Sequence, residues 1–260
     1  MRGKFSIILM VGFMVSLCSL TTLAQGEEQK AQLFNVDDYA VNLSMVDEFE
    51  AGIKEWVAVC AKHKFPYPWK AYGTEDFHYI FVWPVENYAD IDNMYKAFDE
   101  LEEKMGEEQW QALLKHFEGT YEIHQSVMYY LIPERSYTPE NPRLKSEEVN
   151  FISWRFYYIQ SGKEEEFAEI DKEWVALYKS KNIRDGYNLY VGDMGTDMPM
   201  CVEAGWGKDA VDYFSEQKKI NELLGEEATT LWKKAIKLCR KFEYKMGMYL
   251  PNLSYIPKEK

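Results

Sequence analysis

Cysteine is scarce in this chain of 260 residues, and its spacing contains no motif. Four cysteines occur, and no two of them have the Cys-x-x-Cys spacing of a redox or zinc site. The three that follow residue 24 are an odd number, so we expect Cys60, Cys201 and Cys239 to be buried thiols rather than a disulfide framework. The fold must then depend on its core, for which an aromatic content of 16% provides ample apolar surface.

Positive charge is scarce as well. Thirty Lys and Arg residues face 43 Asp and Glu residues, which gives a formal net charge of −13 at pH 7. A surface of this sign repels phosphate backbones and anionic membranes. The composition therefore disfavours nucleic acid and membrane surfaces as partners.

Histidine and the common catalytic motifs are also lacking. The four histidines, His63, His78, His116 and His124, all lie in the first half and have no metal-ligand spacing. No serine nucleophile elbow, His-Glu-x-x-His, phosphate-binding glycine loop or dinucleotide fingerprint occurs. We therefore predict no metal site and no cofactor; a haem site would need histidines that meet in space without any sequence signal.

A long apolar run occurs only once, in residues 5–17. Two basic residues precede it and Thr22-Leu23-Ala24 follows it, which is typical of a secretory signal peptide. We predict a signal peptide over 1–24, a mobile lead-in over 25–32 and a periplasmic or secreted protein. A retained membrane anchor is the alternative, which serine and threonine residues near the run disfavour. Loss of the segment removes two basic residues and moves the charge from −13 to −15.

The chain does contain an internal repeat. The sequence Lys-Glu-Trp-Val-Ala occurs at 54–58 and again at 172–176, an offset of 118 residues. The same offset relates three residues near the end of each half: Pro133, Ser136 and Tyr137 match Pro251, Ser254 and Tyr255. Two agreements so far apart indicate a duplication.

Each half has the same predicted order of elements, strand, helix, strand, strand, helix, strand. Period-2 and helical spacings place these elements at 34–43, 46–60, 69–72, 77–83, 88–117 and 124–132, then at 149–160, 163–180, 187–191, 198–206, 207–239 and 242–250. This order predicts an α+β fold of two tandem ferredoxin-like βαββαβ repeats. We assign the repeats to 33–137 and 149–260, joined by a proline-containing linker over 138–148.

The pattern resembles the dimeric α+β barrel superfamily, and most nearly its NIPSNAP-like and EthD-like members. It rests on a first helix with a central Trp56 or Trp174, a third strand that ends in Trp83 or Trp206, and a polar start to the helix that follows. The resemblance implies that two antiparallel sheets from one chain pack into a single intramolecular barrel. Its members include cofactor-independent monooxygenases, haem-using enzymes and proteins without known activity, and none of their catalytic residues can be matched here.

Strand alternation predicts which residues face the barrel interior. Ile152, Trp154, Phe156 and Tyr158 form the more apolar set and should face the helices, which leaves Arg155 and Tyr157 inside. The offset of 118 adds Asp37 and Tyr39, and an alignment of Trp83 with Trp206 places His78 opposite Cys201 and Ile80 opposite Glu203. The predicted ligand-binding set is thus Asp37, Tyr39, His78, Arg155, Tyr157 and Glu203.

Three functional hypotheses follow. The first is a small, mostly apolar or aromatic ligand in an aromatic barrel cavity. The second is a cofactor-independent monooxygenase or isomerase, with His78 as general base and Tyr39 or Tyr157 as proton donor. The third is a structural or interaction protein with a filled barrel, in which Asp37 and Arg155, or Arg155 and Glu203, merely neutralise each other.

Three further features have structural interpretations. We expect Trp56 and Trp174 to be equivalent core anchors. We expect the acidic residues Glu164, Glu165, Glu166, Glu169 and Asp171 to form a solvated helix start. We interpret residues 192–197 as a hairpin connection rather than a cation-binding loop.

Overall fold

The computed structural model describes residues 31–257. The predicted signal peptide, and the lead-in up to residue 30, lie outside the described residues. The first strand, β1, begins at Gln32.

The repeats have the predicted order of elements. The first contains β1 (Gln32–Val41), α1 (Val46–His63), β2 (Lys70–Thr74), β3 (His78–Val85), α2 (Tyr88–Met105), α3 (Glu107–Lys115) and β4 (Tyr121–Leu131). The second contains β5 (Phe151–Ile159), α4 (Glu164–Ser180), β6 (Tyr187–Gly192), β7 (Met200–Gly207), α5 (Ala210–Lys237) and β8 (Cys239–Tyr249). In both repeats the helix after the third strand starts at a side-chain cap: Asn87 accepts a hydrogen bond from the Asp90 amide, and Asp209 from the Asp212 amide.

The eight antiparallel strands close into one barrel in the order β1-β3-β2-β8-β5-β7-β6-β4. Each repeat supplies a four-stranded sheet, and the two sheets join where β2 pairs with β8 and β4 pairs with β6. The prediction of an intramolecular α+β barrel is therefore confirmed. No helix among residues 31–257 is long and apolar enough to cross a membrane.

The end of each repeat packs on the other repeat, which explains the second repeated motif. Tyr137 pairs with Tyr187 and donates a hydrogen bond from its hydroxyl to the Ile183 carbonyl. Tyr255 pairs in the same way with Trp69 and donates to the Phe65 carbonyl. Each of these buried tyrosines ends one repeat and bonds to the other, so the two repeats make equivalent contacts with each other.

The residues that face the barrel lumen and those that face the helices are the reverse of the prediction. Ile152, Trp154, Phe156 and Tyr158 line the barrel lumen, whereas Arg155 and Tyr157 lie on the outer face beneath the helices. The prediction failed because both faces of each sheet are covered, one by helices and one by the opposite sheet. Apolar side chains then occur on both faces, and relative hydrophobicity does not identify the lumen.

Candidate functional site

A cavity of about 380 Å³ lies in the second repeat, between the outer face of the sheet and the helices α4 and α5. We call it the second-half cavity. Strands β5, β6 and β7 form its floor. Its walls combine five aromatic residues with polar and charged side chains, namely Tyr157, Trp174, Tyr178, Tyr187, Trp232, Arg155, Asp171, Glu203, Gln217 and Asn221.

An ion pair occupies the floor of this cavity. Strand pairing puts Arg155 of β5 opposite Glu203 of β7, and Arg155 Nη1 lies 2.7 Å from Glu203 Oε1. The Tyr157 hydroxyl donates to the other carboxylate oxygen at 3.3 Å. Glu203 raises the pKa of Arg155, so the guanidinium stays charged. The floor of the cavity therefore presents a positive charge next to a carboxylate that accepts two hydrogen bonds.

Tyr187 has a hydroxyl without a hydrogen-bond partner among residues 31–257. The residue is 6% exposed and its side chain lines the second-half cavity. Burial and the nearby Glu203 raise its pKa, so the phenol remains protonated and retains a donor. A buried hydroxyl left in this state costs about 1–3 kcal/mol.

Asp171 adds a titratable group to the wall. It is 7% exposed and accepts hydrogen bonds from Arg135 Nε at 2.9 Å and Nη2 at 2.6 Å. Arg135 belongs to the end of the first repeat and reaches across to the second. Burial raises the pKa of Asp171 to about 7, because lost hydration outweighs the attraction of Arg135. Near neutral pH the cavity wall thus holds a carboxyl group that can both accept and release a proton.

Helix α5 changes direction beside the cavity. Gly225 lines it and has φ 58° and ψ −136°, a left-handed backbone conformation that favours glycine. The helix therefore continues past the cavity at a new angle and brings Trp232 to its wall.

The first repeat has a cavity of similar volume, about 390 Å³, under α1 and α3. We call it the first-half cavity. Its lining is mainly aromatic and aliphatic, and its polar side chains are Tyr39, Glu118 and Tyr121. No arginine or lysine of the described chain lines it.

The structure separates the six predicted ligand residues. Arg155, Tyr157 and Glu203 meet in the second-half cavity. Asp37 and Tyr39 lie on the equivalent outer face of the first repeat, where Asp37 Oδ1 is 3.2 Å from His124 Nε2 and the Tyr39 ring stacks on His124 with centroids 4.1 Å apart. The pairing of Arg155 with Glu203 is confirmed, whereas an Asp37–Arg155 pair is not formed.

His78 is the one residue of the six on the lumen face. It alternates with Ile80 and Val82, which line the lumen, and its Nδ1 lies 2.7 Å from Asp38 Oδ1. The prediction that all six converge in the lumen is therefore wrong. A ligand-binding role for Arg155, Tyr157 and Glu203 stays a prediction, now at a different place.

A one-residue alignment error accounts for part of this result. Asp37 pairs with Phe81, and Arg155 pairs with Glu203, so Phe81 and not Ile80 is the equivalent of Glu203. By the same register His78 corresponds to Met200 rather than to Cys201. A shift of one residue moves a side chain to the other face of a strand.

Asp171, Arg135 and Tyr187 were missed by the sequence interpretation. Glu164, Glu165, Glu166 and Glu169 are exposed, as expected for a solvated helix start, but Asp171 is buried. The signal was present: Asp171 lies four residues after Phe167 and three before Trp174, within the apolar stripe of α4. Trp56 and Trp174 pack on the cores as expected, and each also lines a cavity.

A haem, which the superfamily resemblance implies for some members, would find tyrosine as its only axial ligand in these two cavities. Haem iron takes an axial ligand from His, Cys, Met or Tyr, and the linings include tyrosines but no His, Cys or Met. The one lining cation of the described chain, Arg155, is already paired with Glu203. Within residues 31–257, no group of three or more His, Cys, Asp or Glu side chains could hold a metal ion.

Comparison with solved structures identifies the fold. An anthrone oxidase-like protein matches with a TM-score of 0.58 and 7% identity, over 86% of this chain and 93% of that one. A monooxygenase-like protein from Fusobacterium nucleatum matches with a TM-score of 0.54 and 12% identity, over 88% and 98%. A mutant chlorite dismutase from Candidatus Nitrospira defluvii matches with a TM-score of 0.51 and 11% identity, over 86% and 94%.

These neighbours are dimeric α+β barrel proteins, and the chain shares their fold. At such low identity the similarity extends to the fold alone. No protein-family model matches the sequence, and no curated protein matches it. The closer resemblance to NIPSNAP-like and EthD-like proteins stays a prediction.

Proposed function

We propose that this dimeric α+β barrel protein binds a small, mostly aromatic molecule with a hydroxyl group in the second-half cavity. Trp174, Trp232 and Tyr178 offer aromatic surface for the body of the ligand. Its polar group would meet Tyr187, Asp171 and the Arg155–Glu203 pair. Sites for small molecules typically have this composition, an apolar wall with a few placed polar groups.

The unpartnered hydroxyl of Tyr187 is the observation that carries this proposal. The first repeat has Trp69 at the equivalent position, and its Nε1 donates to the Leu253 carbonyl at 2.8 Å. The second repeat thus contains a buried donor without a partner in the described chain, whereas the donor at the equivalent position of the first repeat has one. A ligand oxygen that accepts a hydrogen bond from Tyr187 would remove the free-energy cost of leaving that donor unsatisfied.

Replacement of Tyr187 by Phe tests the proposal, with naphthol as the probe. We expect the free energy of unfolding of the ligand-free variant to rise by about 1–3 kcal/mol, because the unsatisfied group is removed. The affinity for naphthol, measured by calorimetry, should fall by a factor of about two to ten, because one hydrogen bond is lost.

Tyr137→Phe is the matched control, since its hydroxyl donates to the Ile183 carbonyl at 2.8 Å outside the cavity lining. It should lower the stability and leave naphthol binding unchanged. Loss of stability in Tyr187→Phe, or naphthol affinity equal to that of the wild type, would contradict the proposal.

A second candidate function is proton abstraction from the bound molecule, and the pKa of Asp171 favours it. A carboxyl with a pKa of about 7 is suited to general-base catalysis near neutral pH. Asp171 would accept a proton from an acidic C–H or O–H group, and Arg155 would stabilise the resulting anion. Reprotonation at another carbon gives an isomerase, and reaction of the anion with O₂ gives a monooxygenase.

Anthrone is a suitable probe for the second candidate, because the anthrone oxidase-like protein shares the fold. Oxidation converts anthrone and O₂ into anthraquinone and water, with the substrate supplying all four electrons that reduce O₂. We expect Asp171→Asn to lower the rate of O₂ consumption by a factor of about 10²–10⁴. His78→Ala should leave it unchanged, because His78 faces the lumen on the other sheet. The reverse result would return the role of general base to His78.

The third hypothesis, a structural protein with a filled barrel, has no support from the interior. The lumen contains a cavity of about 470 Å³. An acidic exterior as the working surface would leave this space and the second-half cavity without a role.

A further inference from the structure

The barrel lumen is separate from the second-half cavity, since the sheet lies between them. Its cavity of about 470 Å³ falls within the range of small-molecule sites, roughly 300–1,000 Å³. An eight-stranded barrel is either filled by its own side chains or wide enough for one small ligand. Here Phe34, Trp154 and Phe156 line the lumen and remain partly accessible, although they face the inside of a closed barrel.

Two phenol groups of the lumen have no hydrogen-bond partner within the described chain. They belong to Tyr72 of β2 and Tyr129 of β4, which come from different strands of the first sheet. Mainly because they are buried, both phenols have a raised pKa. They therefore stay protonated and can donate hydrogen bonds. Two other lumen tyrosines differ: Tyr158 donates to Glu243 at 2.6 Å, and Tyr190 accepts from Asn188 at 3.2 Å.

The ionic side chains of the lumen neutralise one another. Asp38 lies 2.7 Å from His78 and 4.0 Å from Lys245. Lys241 and Glu243 are 2.9 Å apart, and Asp197 pairs with Arg240 at 2.8 Å. A charged ligand would have to break one of these pairs, whereas a neutral ligand would not.

We propose that the lumen is a second binding site, for a neutral, flat aromatic molecule that carries acceptor oxygens, such as an aromatic ketone or lactone. The aromatic residues provide faces for stacking. Tyr72 and Tyr129 donate to the oxygens of the ligand, and the paired charges exclude ionised molecules. This site differs from the second-half cavity, whose lining contains the buried carboxyl of Asp171 and the hydroxyl of Tyr187, which has no partner among residues 31–257.

Coumarin is the probe, because it is flat and neutral and its oxygens can only accept hydrogen bonds. We expect saturable binding to the purified wild-type protein in calorimetry. Tyr72→Phe and Tyr129→Phe should each weaken coumarin binding by a factor of about two to ten, since each removes one donor and keeps the ring. Tyr187→Phe should leave coumarin binding unchanged.

The same variants distinguish this site from the proposed function. Naphthol binding should depend on Tyr187 and not on Tyr72 or Tyr129. The lumen site is overturned if coumarin does not bind, or if Tyr72→Phe and Tyr129→Phe both bind it with wild-type affinity. It is also overturned if Tyr187→Phe weakens coumarin binding instead. None of these results would change the naphthol test of the second-half cavity.

Discussion

The two repeats share one fold but differ in the chemistry beneath their helices. Each contains a cavity of similar volume between the sheet and the helices. The first-half cavity is lined mainly by apolar and aromatic residues, whereas the second-half cavity contains an arginine, two carboxylates and three tyrosines. Because the backbone plan is the same, the difference lies in a few side chains.

Equivalent positions show where the repeats diverge. Ile53 of the first repeat corresponds by the offset of 118 to Asp171 of the second. Leu253 ends the second repeat and packs on the first, and by the same offset it corresponds to Arg135, which ends the first repeat and bonds to Asp171 of the second. Strand register makes Phe81 the counterpart of Glu203. Apolar contacts in one repeat are thus replaced by buried polar pairs in the other. Buried ion pairs seldom stabilise a fold more than apolar residues of similar size, so packing stability alone does not account for their presence in the second half.

The largest expected effect comes from making one position of the second half resemble the first. Asp171→Ile should lower the free energy of unfolding by about 3–5 kcal/mol, because Arg135 is left buried without its partner. The double variant Asp171→Ile with Arg135→Leu reproduces the pair Ile53 and Leu253, and should recover most of the loss. Urea unfolding of the two single variants and the double variant measures the coupling.

If the double variant is no more stable than Asp171→Ile, the two repeats do not tolerate equivalent packing at this position. The comparison between the halves would then hold for the backbone alone.

The pH dependence of stability tests the raised pKa of Asp171. The folded protein holds this proton up to a pH of about 7, whereas the unfolded chain releases it near 3.8. The contribution of Asp171 is therefore fully present below pH 3.8 and is lost as the pH rises to about 7. Relative to Asp171→Asn, the wild type should lose at most about 4 kcal/mol across this range.

Chemical unfolding of both proteins between pH 4 and pH 7 measures the difference. Ile53 occupies the corresponding position in the first half, so no matching effect arises there. A wild-type advantage that grows with pH would show instead that Arg135 keeps Asp171 ionised.

The smallest expected effect concerns a feature that the halves share. Ser136 accepts a hydrogen bond from the Leu189 amide and donates to the Ile132 carbonyl, and Ser254 does the same with Ala71 and Leu250. Ser136→Ala and Ser254→Ala should each cost about 1–3 kcal/mol in thermal or urea unfolding, because a buried amide loses its acceptor.

Ser146→Ala is the control, since Ser146 is exposed and should tolerate the change. Clearly unequal losses for Ser136 and Ser254 would show that the exchanged contacts are not equivalent in strength.

Much of the fold was predictable from the sequence, and half of the candidate site was. The recurrence of Ser136 and Tyr137 as Ser254 and Tyr255 indicated the duplication. Only the structure showed that each of these pairs contacts the other repeat. Arg155, Tyr157 and Glu203 were predicted to lie together, and they do. Tyr187 gave no signal, because whether a hydroxyl lacks a partner depends on every neighbour in space.

The sequence by itself determined the duplication and the order of the elements, because these follow from local periodicity and from matches between the halves. The barrel was implied by the resemblance of this pattern to a known superfamily. Only the tertiary structure decided which face of each strand meets the helices and which meets the lumen. Both faces of these sheets are covered, so side-chain polarity along a strand does not distinguish them. The register between strands, which sequence spacing did not fix to within one residue, placed Arg155 and Glu203 beneath the helices.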